Sequence, residues 1–187
     1  MEILEKLFGS TARLRLMKLF MFNPDTTFDT KKMALKLKIS PVLLRKELLV
    51  LQKSSLIKKR PSGWVLNHSF ELLQPLSNLL SHNGPLAHKE LIQRLSKVGR
   101  VKLIVVSGIF TDQWDGRIDI MLAGDKLNKK TLETTIRSIE ADIGKDLRYA
   151  ALDTVEFHYR AGIGDKLVRD VFDYPHEVVL DKIGIRR

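Results

Sequence analysis

The stretch Thr30–Leu66, TKKMALKLKISPVLLRKELLVLQKSSLIKKRPSGWVL, decides how the first half of the chain folds. Its first part has the apolar spacing of a short helix, and Lys38 and Ile39 follow as a tight turn. Ser40 is a favoured N-cap, and Pro41 stands at the first position of a second helix, where proline is well tolerated. Two short runs then flank a Pro-Ser-Gly turn, which predicts a β-hairpin. The order is therefore helix, turn, helix and hairpin.

The second of these helices is predicted to have an apolar face and a polar face. Leu44, Leu48 and Leu51 recur at helical spacing, so we expect them in the core. Upstream, residues 3–21 have mostly helical spacing too, with a possible helix start at Ser10 or Thr11. The other faces of the second helix carry Val42, Arg45, Lys46 and Leu49.

Positive charge is concentrated in the same half of the chain. Residues 1–80 contain 14 Lys and Arg against 6 Asp and Glu, whereas residues 81–187 contain 18 against 16. A basic half joined to a nearly neutral half indicates that the basic half meets a polyanion. A basic surface that only confers solubility is the alternative.

These elements, over roughly residues 3–68, resemble the winged helix-turn-helix domains of the ArsR (arsenic-repressor-like) class, and we predict such a domain at residues 1–68. The resemblance implies binding of double-stranded DNA, with the second helix of the pair in the major groove and the hairpin along the backbone. One departure is that the turn usually contains a glycine with positive φ, and Lys38 or Ile39 stands there instead. A lysine adopts this conformation at a cost of about 1 kcal/mol. Winged helices also serve as protein–protein modules, and this alternative stays open.

The candidate DNA contacts divide into two kinds. Lysines and arginines neutralise phosphates, which position a protein without reading sequence. Arg45 is the candidate for reading a base, because its guanidinium can bond O6 and N7 of guanine together. The predicted DNA-binding residues are Lys31, Lys32, Lys36, Ser40, Val42, Arg45, Lys46, Lys58, Lys59 and Arg60.

Residues 69–99 are predicted to be a helical connector rich in leucine. Such a connector either packs on its own domain or forms a dimer interface. The pattern does not choose between the two. His82 and His88 have no further ligand nearby in sequence, so no metal site is predicted there.

Residues 100–187 are predicted to form an α/β domain around a small mixed sheet. VKLIVVSGIF (101–110) and RIDIMLAGD (117–125) are typical of strands. The helix at 127–144 ends at Gly144, a natural residue after a helix, and a further strand is expected at 147–152. The predicted fold class of the whole chain is therefore α+β.

This order resembles the minimal nucleotidyltransferase fold, in which a strand leads into a Gly-Ser turn, the next strand carries Asp-x-Asp, and a third acid lies on a later strand. Such acids would hold two Mg²⁺ ions against a triphosphate. Here the turn is reversed to Ser107-Gly108, and Arg117 and Asp119 stand at the acid pair. The third position falls near Arg148 or Ala150. We therefore expect an ion pair between Arg117 and Asp119, a degenerate site, and neither metal nor catalytic residues.

Taken whole, the chain resembles bacterial winged-helix transcriptional regulators fused to a degenerate nucleotidyltransferase-like domain. The resemblance implies a DNA-binding regulator that is not an enzyme and needs no cofactor. A homodimer, a protein partner and a nucleotide ligand at the C-terminal domain are the options left open. An active nucleotidyltransferase that docks through the winged helix, and an antitoxin-like neutralising protein, are the alternative functions.

The location is expected to be the cytoplasm. The chain has no cysteine, which fits a reducing compartment. It has no run of eighteen apolar residues, and its first residues, MEILEKLF, lack the apolar core of a signal peptide. We therefore expect no membrane partner.

Overall fold

The structure is a computed structural model that describes residues 2–81, 86–111 and 118–185. The helices are α1 (Glu2–Phe8), α2 (Thr11–Met21), α3 (Thr30–Leu37), α4 (Pro41–Lys53), α5 (Leu73–Ser81), α6 (His88–Leu95), α7 (Lys129–Ile143), α8 (Thr154–Gly162) and α9 (Lys166–Phe172), with a 3₁₀ helix at Gly108–Thr111. The strands are β1 (Ile57–Arg60), β2 (Gly63–Leu66), β3 (Arg100–Ser107), β4 (Ile120–Asp125), β5 (Tyr149–Asp153) and β6 (His176–Asp181).

The chain divides into two compact units that are discontinuous in sequence. The first unit comprises Met1–Asn83 and Arg137–Asp146, and the second comprises Gly84–Ile136 and Leu147–Arg187. The end of α7 and the residues that follow it thus belong with the helices of the first half of the chain. The predicted domain boundaries at residues 68 and 99 stay predictions.

The first unit packs α2, α3, α4 and the hairpin β1–β2 around one apolar core. Leu16, Phe20, Leu37, Leu44 and Leu48 are buried there, and their spacing along the helices places them on the inward faces. The two strands of the hairpin pair antiparallel, with Ile57 opposite Leu66. Trp64 of β2 also forms a bridge with Phe28, which ties the hairpin to the segment that precedes α3.

The turn between α3 and α4 follows the local chemistry of its residues. Lys38 ends α3 in the left-handed conformation, with φ 52° and ψ 45°. Ser40 is extended, and its hydroxyl oxygen accepts a hydrogen bond from the Leu43 N–H at 3.4 Å. Pro41 follows at the start of α4. Of the two residues predicted for the turn, Lys38 and Ile39, Lys38 is thus the one with positive φ.

The second unit contains a four-stranded mixed sheet with the strand order β5-β4-β3-β6. β3 pairs antiparallel with β4 and β6, whereas β4 and β5 are parallel. Phe157 of α8 and Val168 and Val171 of α9 pack with Leu103 and Met121 of the sheet in one buried cluster. β3 is apolar almost throughout because it lies inside the sheet, between β4 and β6.

The predicted α+β mixture of helices with a hairpin and a small mixed sheet is confirmed, and the mixed sheet has four strands. The identification of these parts as a winged helix and a nucleotidyltransferase-like domain stays a prediction. β4 begins at Ile120, and the first residue of the predicted strand, Arg117, lies outside the described residues. The N–H groups of Asp119 and Ile120 both donate to the Arg148 carbonyl oxygen, at 2.7 and 3.2 Å. No described helix combines the length and apolar character that crossing a membrane requires.

Candidate functional sites

The N-terminal half of α4 presents the side chains that were predicted to face DNA. Val42 is 79% exposed, and Arg45 and Lys46 are also exposed. Lys31 and Lys32 are exposed at the start of α3, where their N–H groups donate to the Asp29 carboxylate at 2.9 and 3.1 Å. This carboxylate caps α3 as the Ser40 hydroxyl caps α4, so the N-termini of both helices of the pair are capped by neighbouring side chains.

A buried carboxylate fixes α4 against α2. Glu47 is only 3% exposed, although its neighbours Arg45 and Lys46 face solvent. Its carboxylate accepts hydrogen bonds from the Ser10 hydroxyl and from Arg13 Nε, both at 2.8 Å. Helical spacing places Glu47 on the apolar face of α4, three residues after Leu44 and four before Leu51, but it cannot identify the partners, which lie far away in the chain. The contact holds the exposed face of α4 in one orientation.

The hairpin separates its three consecutive cations onto two faces. Successive residues of a strand point to opposite sides, so Lys58 and Arg60 share one face and Lys59 lies on the other. Lys59 is opposite Trp64, and its ammonium lies 5.8 Å from the centroid of that ring. This distance permits a cation–π contact. All three cations are exposed and were predicted to bind DNA, but only Lys58 and Arg60 lie on the face of β1 that points away from Trp64.

Lys36 differs from the other predicted phosphate contacts because its ammonium already has an anionic partner. Lys36 Nζ lies 2.7 Å from Asp146 Oδ1, within the first unit. Both side chains reach solvent, so the pair is weak and exchangeable. A phosphate that binds Lys36 would have to compete with Asp146.

In the second unit, Asp119 is the centre of the site that the sequence predicted to be degenerate. Its side chain is fully buried. Oδ1 accepts from the Ile109 N–H at 3.1 Å, and Oδ2 accepts from the Arg148 N–H at 2.8 Å. The Arg148 guanidinium completes the arrangement, with Nε 3.2 Å from Oδ2 and Nη2 3.4 Å from Oδ1. Both oxygens of the carboxylate are thus used within the protein.

The Ser107-Gly108 turn lies against the same carboxylate. Gly108 has φ 57°, and a Cβ at this position would overlap Asp119 Oδ1, so the close approach requires glycine. The Ser107 hydroxyl donates to the Ile118 carbonyl oxygen at 2.6 Å. This hydroxyl is therefore committed to the backbone, whereas a phosphate-binding turn would present it to a ligand.

The structure brings together four of the five residues predicted for this site: Ser107, Gly108, Asp119 and Arg148 meet, and Arg117 lies outside the described residues. The predicted pair of Arg117 with Asp119 stays a prediction. The pair of Asp119 with Arg148 was not predicted, although the sequence showed an arginine at the position where a third acid was expected. Arg148 had been placed at the third acidic position, and a cation there has a natural partner in the remaining acid.

The arrangement around Asp119 suits a structural carboxylate. A metal ion would have to displace a guanidinium and backbone N–H donors, and further carboxylates would have to join it. In the described ranges, no group of three or more His, Asp or Glu side chains could hold a metal ion.

Asp125 and Lys102 form a separate pair at the other end of β4. Lys102 Nζ lies 2.8 Å from Asp125 Oδ2, and the Thr154 hydroxyl donates to Asp125 Oδ1 at 2.6 Å. The hydrogen bond from Lys102, with that from Thr154, lowers the pKa of the Asp125 carboxyl below its ordinary value. Asp125 is thus an anion that ties β3, β4 and the start of α8 together.

The chain was also compared with known proteins. No family model, curated protein or solved structure matches it.

Proposed function

We propose that the protein is a sequence-specific DNA-binding transcriptional regulator whose second unit is not catalytic. The observation that carries this proposal is the exposed N-terminal half of α4, flanked by a hairpin with outward-facing cations, in the half of the chain that holds most of the excess positive charge. A polyanion of regular geometry fits such a surface, because a helix enters the major groove while cations nearby bind phosphates.

In the proposed complex, α4 lies in the major groove with its first turns towards the bases. Arg45 is the residue that would read a guanine, and Val42 would make an apolar contact with a base edge. Lys58 and Arg60 would bind phosphates through the outward face of β1, and Lys31 would do so from the start of α3. Glu47 would keep α4 in the orientation that these contacts need.

The non-catalytic role of the second unit rests on the saturation of Asp119. A carboxylate that is buried and bonded to Arg148 lacks the open coordination positions that nucleotidyl transfer requires. The surface of α8 supports a role in binding a protein partner or a second copy. Val155, Tyr159 and Ile163 are exposed, four residues apart, and form one apolar stripe.

The test is binding of the full chain to duplex DNA, titrated across salt and followed by selection of preferred sequences. Each lost phosphate contact should reduce the slope of log affinity against log salt by about 0.9. We expect this reduction for Lys58→Ala and Arg60→Ala. Lys59→Ala is the matched control, because it removes the same charge from the neighbouring position on the other face, and its slope should change less.

A second pair of variants separates base reading from electrostatics. Arg45→Ala should relax sequence preference, with a loss of about 1–3 kcal/mol at the preferred site. Lys53→Ala removes a cation from the last turn of the same helix and should leave the preference unchanged. If the full chain does not bind duplex DNA at low salt, the proposal is wrong. Transfer of a nucleotide in the presence of Mg²⁺, abolished by Asp119→Ala, would refute the non-catalytic role.

A further inference from the structure

The segment Arg137–Asp146 is an integral part of the first unit, although it follows Asn83 by more than fifty residues of sequence. Asn23 Nδ2 donates to the Gly144 carbonyl oxygen at 2.8 Å and to the Leu19 carbonyl oxygen at 2.7 Å. A Cβ on Gly144 would lie 2.5 Å from the Leu19 nitrogen. The segment therefore contacts the backbone of α2 closely enough that not even a methyl group fits between them.

Arg15 of α2 joins this segment to the end of α3. Its Nε donates to Asp142 Oδ1 at 2.8 Å, and Nη2 lies 2.6 Å from the same oxygen. Its Nη1 donates to the Leu37 carbonyl oxygen at 3.1 Å. Asp142 is 1% exposed, so this ion pair is shielded from solvent on the side of the carboxylate. One guanidinium thus bonds two segments that are far apart in sequence.

The Leu37 carbonyl is a sensitive point for the geometry of the turn. Leu37 is the last residue of α3, and carbonyl groups in the last turn of a helix have no partner within the helix. Lys38 follows in the left-handed conformation, and the Ile39 N–H donates back to the Ala34 carbonyl oxygen at 3.1 Å. The Arg15 guanidinium, which donates to the Leu37 carbonyl, therefore restrains the backbone at the point where the chain changes direction into α4.

We propose that Arg15 is a positioning residue for DNA recognition: it transmits the position of Asp142 to the turn between α3 and α4. This inference rests on the proposed function, because the consequence of the turn geometry is the placement of α4 in the groove. It also means that the DNA-binding unit needs residues 137–146 and is not contained in the first 83 residues alone. The bonding pattern requires arginine, since its planar fork has several donors in a fixed geometry and a lysine ammonium lacks that geometry.

The experiment compares the full chain with Arg15→Lys and Asp142→Asn. Arg15→Lys keeps a positive charge beside Asp142 but gives up the second bond to Leu37. Arg160→Lys is the matched control, because Arg160 also joins two acceptors, here the carboxylates of Glu156 and Asp165, but lies in the second unit. Two quantities are measured for each variant: amide hydrogen exchange at Lys38 and Ile39, and affinity for the duplex that the wild-type protein prefers.

We expect both test variants to exchange the amides of Lys38 and Ile39 about tenfold faster: Arg15→Lys loses the hydrogen bond to the Leu37 carbonyl, and Asp142→Asn loses the charged partner that holds Arg15 at that carbonyl. Duplex affinity should fall about tenfold, and Arg160→Lys should change neither quantity. Asp142→Asn serves as the second variant if Arg15→Lys folds poorly.

Three results would overturn the inference: unchanged exchange at Lys38 and Ile39, faster exchange with unchanged affinity, or an equal rise in exchange throughout α2 and α4 with a lower Tm. The last result would mean that Arg15 only stabilises the unit. If the wild-type protein binds no duplex, the proposed function fails, and the link from Arg15 to DNA recognition falls with it. The exchange rates would then still decide whether Arg15 positions the turn.

Discussion

Replacing Gly144 with alanine tests how closely the residues after α7 pack against α2. Gly144 has φ 79°, a conformation that costs an L-residue about 1 kcal/mol. The new Cβ would also lie 2.5 Å from the Leu19 nitrogen and 2.8 Å from its Cα. These atoms are backbone, so they cannot rotate away as the end of a side chain could. The segment or α2 must therefore move.

The magnitude follows from the two contributions. Overpacking in a filled region typically costs about 1–3 kcal/mol. Added to the backbone strain, this predicts a loss of about 2–4 kcal/mol in the free energy of unfolding for Gly144→Ala. The movement would also lengthen the hydrogen bond from Asn23 to the Gly144 carbonyl.

The matched control is Gly9→Ala. Gly9 also belongs to the first unit and has φ 67°, but a Cβ there meets no atom within 4 Å. Its loss should therefore be the strain alone, about 1 kcal/mol. The assay is urea unfolding of the full chain, with the midpoint compared at equal m-value. Equal losses for the two variants would refute the close packing of Gly144 on α2.

Three further predictions concern single residues. Lys38→Gly should stabilise the protein by up to about 0.5 kcal/mol in urea unfolding, because the strain of the left-handed lysine is at least as large as the entropy cost of glycine, and a destabilised variant would contradict this. Asp119→Ala should lower the free energy of unfolding by about 2 kcal/mol, since it removes the buried acceptor of the Ile109 and Arg148 N–H groups, and a loss below about 1 kcal/mol would count against a structural role of this carboxylate. The pKa of Asp125 in the folded protein lies below its unfolded value of about 3.9. The contribution of Asp125 to stability is therefore fully present above the unfolded pKa, and it is lost as the pH falls through the folded pKa. Asp125→Asn should therefore give a shallower fall of Tm between pH 5 and pH 2, and a Tm profile parallel to that of the wild type would show that the pair with Lys102 contributes nothing.

The parts of the fold that sequence reasoning predicted are those decided by neighbouring residues. Ser40 and Pro41 mark the start of α4 because capping and the fixed φ of proline act within one turn. Lys38 was identified at the turn because the chain must reverse there, and Gly144 was identified at the end of α7 for a similar reason. Each of these features needs only the residues beside it.

The contacts that sequence reasoning missed are those between distant positions. Glu47 lies on the apolar face of α4, but its partners Ser10 and Arg13 could not be inferred from the spacing of that helix. Asp142 lies near the end of α7, and its partner Arg15 lies more than a hundred residues earlier in the chain. Helical spacing can place a carboxylate on the buried face, but it does not identify the group that the carboxylate binds. Only the packing of α2 against other parts of the first unit decides which group each of these carboxylates binds.

Asp119 illustrates why a surviving acid does not by itself indicate catalysis. A carboxylate that binds metal must keep lone pairs directed at an open position, and its surroundings must supply more acids. Around Asp119, the donors come from the protein, and Arg148 places a positive charge where an incoming cation would be repelled. The same carboxylate joins the turn after β3 to the start of β5 through the Ile109 and Arg148 N–H groups. Losing it would break that junction, so the fold itself is a sufficient reason for an aspartate at this position.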